Sequence, residues 1–172
     1  MKKQSLIACA ALAALALAAT PAAADNKPIH NAGRIGIGLG GGTIANGLSG
    51  KYYTGAKFAF QANLGTVGGR GGDRFKDNGG IAVSLDGLVE NGPLTTTEHF
   101  SLDWSYGLGV GFGSHNDATA IAVAGVVGLE LNLTVIPLDV VLEYRPQLGL
   151  DPDVEFDPVD FSGHIRDRKS VV

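Results

Sequence analysis

Phe100-Ser101-Leu102-Asp103-Trp104-Ser105-Tyr106-Gly107-Leu108-Gly109-Val110-Gly111-Phe112-Gly113 alternates large apolar residues with small or polar ones at every step. Successive side chains of a β-strand leave opposite faces, so this pattern predicts one long strand with two unlike faces. Phe100, Leu102, Trp104, Tyr106, Leu108, Val110 and Phe112 make one face; Ser101, Asp103, Ser105 and four glycines make the other. A strand in a soluble sheet shows water a face of charged and long polar side chains, and this strand has almost none. A membrane barrel accounts for both faces. Its large apolar residues meet lipid, while small residues and a few opposed charges fill a narrow lumen.

The same period extends in both directions. Ile121, Val123, Val127, Leu129, Leu131, Leu133 and Val135 oppose Ala122, Ala124, Val126, Gly128, Glu130, Asn132 and Thr134. After a turn at Ile136-Pro137-Leu138-Asp139, the alternation resumes from Val140 to Leu150, with Pro146 an irregularity that predicts a bulge or an early strand end. Shorter segments at Ile35–Leu39, Leu48–Tyr53, Phe58–Leu64, Ile81–Leu85 and Phe161–Arg166 follow the rule as well. The expected strands lie near 34–41, 47–53, 57–67, 80–90, 99–113, 119–135, 139–150 and 160–166. An eight-stranded antiparallel up-and-down transmembrane β-barrel closes such strands without leaving an edge. Phe58, Phe100, Phe112 and Phe161, near strand ends, would mark the two interfaces.

The ends of the chain read differently. Lys2 and Lys3 precede an apolar run to Ala18, and Ala22-Ala23-Ala24 supplies small residues for a cut, so residues 1–24 are expected to be a signal peptide. Cys9 sits too early in that run for the lipid-acceptor cysteine of a lipoprotein. Residues 25–32 form a periplasmic lead, and 33–166 the barrel. Asp167-Arg168-Lys169-Ser170-Val171-Val172 matches the translation of a common sequencing adapter, so 167–172 is read as an artefact that replaces the native end. Residues 25–166 hold nine basic and sixteen acidic residues, net −7, and all 26 glycines. That acidity argues against nucleic acid as a partner. So much glycine, at a cost of ~1 kcal/mol per helical position relative to alanine, argues against a helical bundle.

Gly47-Leu48-Ser49-Gly50-Lys51-Tyr52-Tyr53 and Pro137-Leu138-Asp139-Val140-Val141-Leu142-Glu143-Tyr144-Arg145-Pro146 resemble stretches common in small eight-stranded outer-membrane barrels of the OmpA transmembrane type. Ser162-Gly163-His164-Ile165-Arg166 looks like the start of that family's last strand. The resemblance covers residues 33–166 and implies a location in the outer membrane of a Gram-negative bacterium. It further implies contact with outer-membrane lipids and lipopolysaccharide, and assembly by the barrel-assembly machinery. In the family the last strand ends in an aromatic residue that this machinery reads, and no such residue stands here.

Three motifs have plainer readings than the chemistry they invite. Gly36-Ile37-Gly38-Leu39-Gly40-Gly41 matches a dinucleotide-binding pattern, but no helix follows and the next acid is Asp73. Ser114-His115-Asn116-Asp117 gathers nucleophile, base and acid types in a loop too short for each to reach the next. Asp151, Asp153, Glu155, Asp157 and Asp160 lack the glycine a calcium loop needs, Phe156 standing at that position. No catalytic, cofactor or metal site is therefore expected.

The candidate site is the lumen. Arg34, Lys51, Lys57, Arg145 and Arg166 are placed on the inner face with Asp86, Asp103, Glu130 and Glu143, a near balance that predicts a salt-bridged plug. Leu108→Arg, on the lipid side, should cost ~2–4 kcal/mol near the midplane, and Gly109→Ser, on the lumen side, should be much milder. The expected role is structural or surface-interactive and non-enzymatic. A narrow pore for small solutes is the second reading, ahead of a lipid A-modifying enzyme and a soluble lipocalin-like carrier.

Overall fold

The computed structural model describes residues 33–42, 44–55, 57–67, 80–115, 118–151 and 154–170. The expected signal peptide and lead, the 68–79 connection, Asn116, Asp117, Asp153 and the last two residues lie outside them.

Every regular element is a strand: β1 (Arg34–Gly41), β2 (Ala45–Tyr53), β3 (Phe58–Val67), β4 (Ile81–Thr96), β5 (Phe100–His115), β6 (Ala118–Leu133), β7 (Leu138–Tyr144), β8 (Gln147–Asp151), β9 (Glu155–Asp157) and β10 (Phe161–Ser170). Pairing is antiparallel throughout, and β1 meets both β2 and β10, so the sheet closes on itself. β7 and β8 both pair with β6 and form one broken stave. β9 and β10 pair with β8 and β7 in turn and form another. The result is a closed eight-stave antiparallel barrel with up-and-down neighbours.

The break between β7 and β8 falls at Arg145-Pro146, where the irregularity was expected. Proline cannot donate to the ladder, so the wall is bridged by other bonds. Arg145 N donates to Asp160 O at 2.8 Å, and Gly125 N donates to Pro146 O at 2.9 Å. β4 runs six residues past the expected end at 90. Gly92 and Pro93, residues that usually weaken or end a strand, lie within that extension. The structure takes them up in a bulge, where pairing passes from Asn91↔Trp104 to Thr95↔Leu102.

The expected stop at Arg166 is also corrected. β10 continues to Ser170, with Asp167↔Ile37, Arg168↔Gly36, Lys169↔Ile35 and Ser170↔Arg34 completing its pairing with β1. Ten residues suit a strand of membrane-spanning length, ~9–11 residues, which six would not.

Short turns after β2, β4 and β6 lie at the end that holds the first residue of β1 and the last of β10. Thr54 N donates to Phe58 O at 3.0 Å in the first, and Thr97 N donates to Phe100 O at 2.8 Å in the second. The opposite mouth holds the other four connections, of which the one from 68 to 80 is the longest.

The two faces of the wall are inverted relative to a soluble protein. Leu108, Val110 and Phe112 are exposed on the outside, Leu108 to 75%, while Phe100, Leu102, Trp104 and Tyr106 are half-buried between their outer neighbours. Ile37, Leu39, Leu48, Phe60, Leu64, Leu85, Val127, Leu142 and Ile165 extend this apolar coat around the ring. Trp104 and Tyr106 stack with ring centroids 5.7 Å apart, as do Tyr144 and Phe161 at 5.5 Å. The buried apolar cluster is small: Tyr53, Ala59, Leu88 and Val126. Most of the interior is polar.

Candidate functional site: a cross-braced lumen

Strand parity aims Ser49, Lys51 and Tyr53 of β2, Gln61 and Asn63 of β3, and Ser84, Asp86 and Glu90 of β4 into the lumen. Opposite them stand Asp103 of β5, Glu130 and Asn132 of β6, Asp139 and Glu143 of β7, and Ser162, His164 and Arg166 of β10. All are buried.

These groups form two layers. Nearer the chain ends, Lys51 Nζ lies 2.8 Å from Glu90 Oε1 and 2.6 Å from Glu130 Oε2. Tyr53 donates its hydroxyl to Glu130 Oε1 at 2.8 Å, and Lys51 Nζ sits 5.1 Å from the centre of the Tyr53 ring. Asn132 donates to Asp103 Oδ2 at 2.6 Å. Arg168 pairs with Asp139 and also donates to Leu133 O at 2.6 Å.

In the second layer Arg145 grips Asp86 with two prongs, Nη2–Oδ1 at 2.7 Å and Nη1–Oδ2 at 3.0 Å, and reaches Glu143 Oε2 at 3.0 Å. Gln61 donates to Asp86 at 3.0 Å and to Glu143 at 2.9 Å, and receives a hydrogen bond from Arg166. Most of these contacts join staves on different sides of the ring. Each charge thus meets an opposite charge or a neutral hydrogen-bond partner where water is scarce, the condition under which a buried ion is tolerated.

Eight of the nine expected lumen residues face inward. Lys51, Asp86, Asp103, Glu130, Glu143, Arg145 and Arg166 are buried there, and Arg34 is half-buried at the end of β1. Lys57 is the correction. It lies exposed in the β2–β3 turn, where its carbonyl accepts from Glu90 N at 2.8 Å. Parity alone put it inside, but the chain leaves the wall before reaching it. Glu90, Asp139, His164 and Arg168 were missed, although each keeps the parity of a recognised neighbour two or four residues away. Their inclusion changes the balance. Among the described residues, six buried carboxylates on the strands now face Lys51, Arg145 and Arg166, with Arg34 and Arg168 half-buried at the rim.

Gly109 has less room beside it than its place on the small-residue face suggested. A Cβ at this position would run into the Asp86 carboxylate and stand 3.2 Å from Arg145 Nη2. The glycine is there because the ion pair occupies the space beside it.

One line of contacts has the residue types of an acyl-transfer site. Ser49 Oγ lies 3.0 Å from His164 Nδ1, and His164 Nε2 lies 3.3 Å from Glu143 Oε2. With the ring proton on Nε2, the imidazole donates to Glu143 and accepts from Ser49. Nucleophile, base and orienting acid are in sequence. However, Arg166 Nε donates to the same Ser49 Oγ at 3.0 Å, and Ser49 is buried. A cavity of about 10 Å³ beside His164 holds roughly one water, far too little for a substrate. The arrangement reads as bracing.

Of the other motifs, the glycine run of β1 backs onto this site. Gly36, Gly38 and Gly40 lie on β1 against Arg166, Ile165 and His164 of β10. In the acidic run, Glu155 is exposed, Asp157 Oδ1 accepts from Val159 N at 3.0 Å, and Asp160 is buried. Among the described residues no group of three or more His, Cys, Asp or Glu side chains is arranged to hold a metal ion.

Fold and lumen together define a class: closed eight-stave barrels with an apolar coat and a charged, braced interior. No protein-family model, curated protein or solved structure matches this chain.

Proposed function

We propose that this chain is an outer-membrane β-barrel protein of a Gram-negative bacterium, with a structural or surface-interaction role and a plugged, non-enzymatic lumen. One observation carries the reading: large apolar side chains are exposed around the outer wall while Lys, Arg, Asp and Glu are buried inside. Only a solvent less polar than water rewards that distribution, and a bilayer supplies it. Export through a cleaved signal peptide, contact with lipopolysaccharide and outer-membrane lipids, and insertion by the barrel-assembly machinery follow from the same reading. The brace of Lys51, Glu130, Arg145 and Asp86 makes the barrel a rigid closed body that holds loops at the mouth opposite the chain ends.

Refolding into phospholipid vesicles is the test. The expected product migrates differently on gels before and after boiling, resists protease, and carries little current in planar bilayers. A monomer that stays in solution without detergent and takes up an apolar ligand would make it a soluble carrier instead. Large, stable channels would make it a pore.

A further inference from the structure

The hairpin between β1 and β2 places a large apolar side chain above the charged Arg145 layer of the lumen. Ile44 precedes the first residue of β2, in a turn held by Gly42 N donating to Asn46 Oδ1 at 2.8 Å. In a ring of eight staves β5 stands opposite β1, so it forms the facing wall. Gly111 of β5 points inward there. A Cβ built on it would lie 2.7 Å from both Cδ1 and Cγ2 of Ile44, closer than real atoms approach. The Ile44 side chain therefore fills the space that any other residue at 111 would claim. Val67, at the end of β3, stands more loosely over Gly113, its Cγ2 3.4 Å from where a Cβ would be, an ordinary contact.

Ile44 also bounds the cavity of about 10 Å³, whose other walls include Asn63, Ser84, Arg145, Ser162 and His164. From this mouth inward the order is an apolar side chain, a space for roughly one water, and then the Arg145 layer. Asn63 Oδ1 is buried there without a protein partner. A single enclosed water would satisfy it.

We propose that Ile44, seated on Gly111, is the stopper of the lumen at the mouth opposite the chain ends, and that it keeps outside ions and bulk water from the Arg145 layer. An apolar side chain across a narrow lumen offers water no hydrogen bond, so the constriction stays dry. Dryness strengthens the Arg145–Asp86 contact below, since attraction between charges falls as water raises the local dielectric. The assignment concerns the barrel alone and holds in a micelle as in a bilayer. Its failure would therefore leave the membrane reading standing, and the reverse.

Cys9 is the only cysteine in the sequence, so Cys9→Ala gives a background for single thiols. Ser84→Cys puts a thiol on the cavity wall, and a charged, water-soluble methanethiosulfonate reports access to it in the detergent-refolded barrel. Modification should be slow with Ile44 in place, at least about tenfold faster with Ile44→Gly, and within about twofold of the starting rate with Ile44→Val. Heat-modifiable migration of each variant verifies that the barrel has closed. Where Ser84→Cys does not refold, Ser162→Cys probes another wall of the same cavity. Equal rates with Ile44 and with Ile44→Gly, or fast modification with Ile44 intact, would overturn the stopper.

Discussion

Lys51 of β2 and Glu130 of β6 stand on opposite staves, and the 2.6 Å contact between them crosses the lumen. Glu90, 2.8 Å from the same ammonium, ties in a third stave. The barrel is thus held across its bore as well as around its wall.

Lys51→Met should leave Glu90 and Glu130 buried without their shared cation. The expected loss is ~3–5 kcal/mol of unfolding free energy, read from urea titration of the refolded barrel. Adding Glu130→Gln should recover part of it. Tyr53→Phe removes one hydrogen bond to a charged acceptor and should cost less, ~1.5–3 kcal/mol. A Lys51→Met barrel as stable as the parent would mean that water reaches this layer.

Arg145→Met leaves Asp86 with the Gln61 amide in place of a cation, and Glu143 with His164, Ser162 and Gln61. Stability should drop by a similar ~3–5 kcal/mol, or water should enter and give small conductance steps that the parent lacks. Unchanged stability together with an unchanged silent bilayer would remove the brace from the account of the plug.

Leu108→Arg and Gly109→Ser are neighbours with different faults. The first puts a charge into the apolar coat and should cost ~2–4 kcal/mol near the bilayer midplane. The second drives a side chain into the Asp86–Arg145 contact and should cost ~1–3 kcal/mol through overpacking, in vesicles and micelles alike. A neutral Leu108→Arg in vesicles would place that face out of contact with lipid.

Removal of residues 167–172 should abolish heat-modifiable folding, because Arg34–Ile37 would lose their β10 partners and Asp139 its Arg168 contact. Backbone groups unpaired in lipid are costly enough to stop insertion. Asp167 is exposed on the outer face, so Asp167→Leu should raise the yield of inserted barrel. Equal yields for all three chains would show that closure does not depend on this end.

Much of the wall was legible in advance because period two is local. Phe100–Gly113 shows both faces of β5 through nothing more than the pleat of the backbone. Pro146 marked the break between β7 and β8 because a missing N–H is a property of one residue. Failures came where a local signal met a distant one. The fourth strand was expected to stop at 90, yet pairing with β5 carried it through Gly92-Pro93-Leu94 in a bulge. Lys57 kept the right parity but stood beyond the wall. Asp167 to Ser170 lay past the expected end of the last strand, yet β1 offered them a full ladder of partners.

The sequence by itself determined that this chain makes strands, that each strand has an apolar and a small or charged face, and that charges of both signs share the latter. Alternation along a strand requires only the two-residue repeat of extended backbone, which neighbouring residues impose on one another. Tertiary structure alone decided that Lys51 meets Glu130 rather than Glu143, that Ser49, His164 and Glu143 fall into line, and that Ile44 lands on Gly111. Those meetings depend on the stagger accumulated around a closed ring of eight staves, a quantity set by all the pairings together and carried by no single stretch of chain.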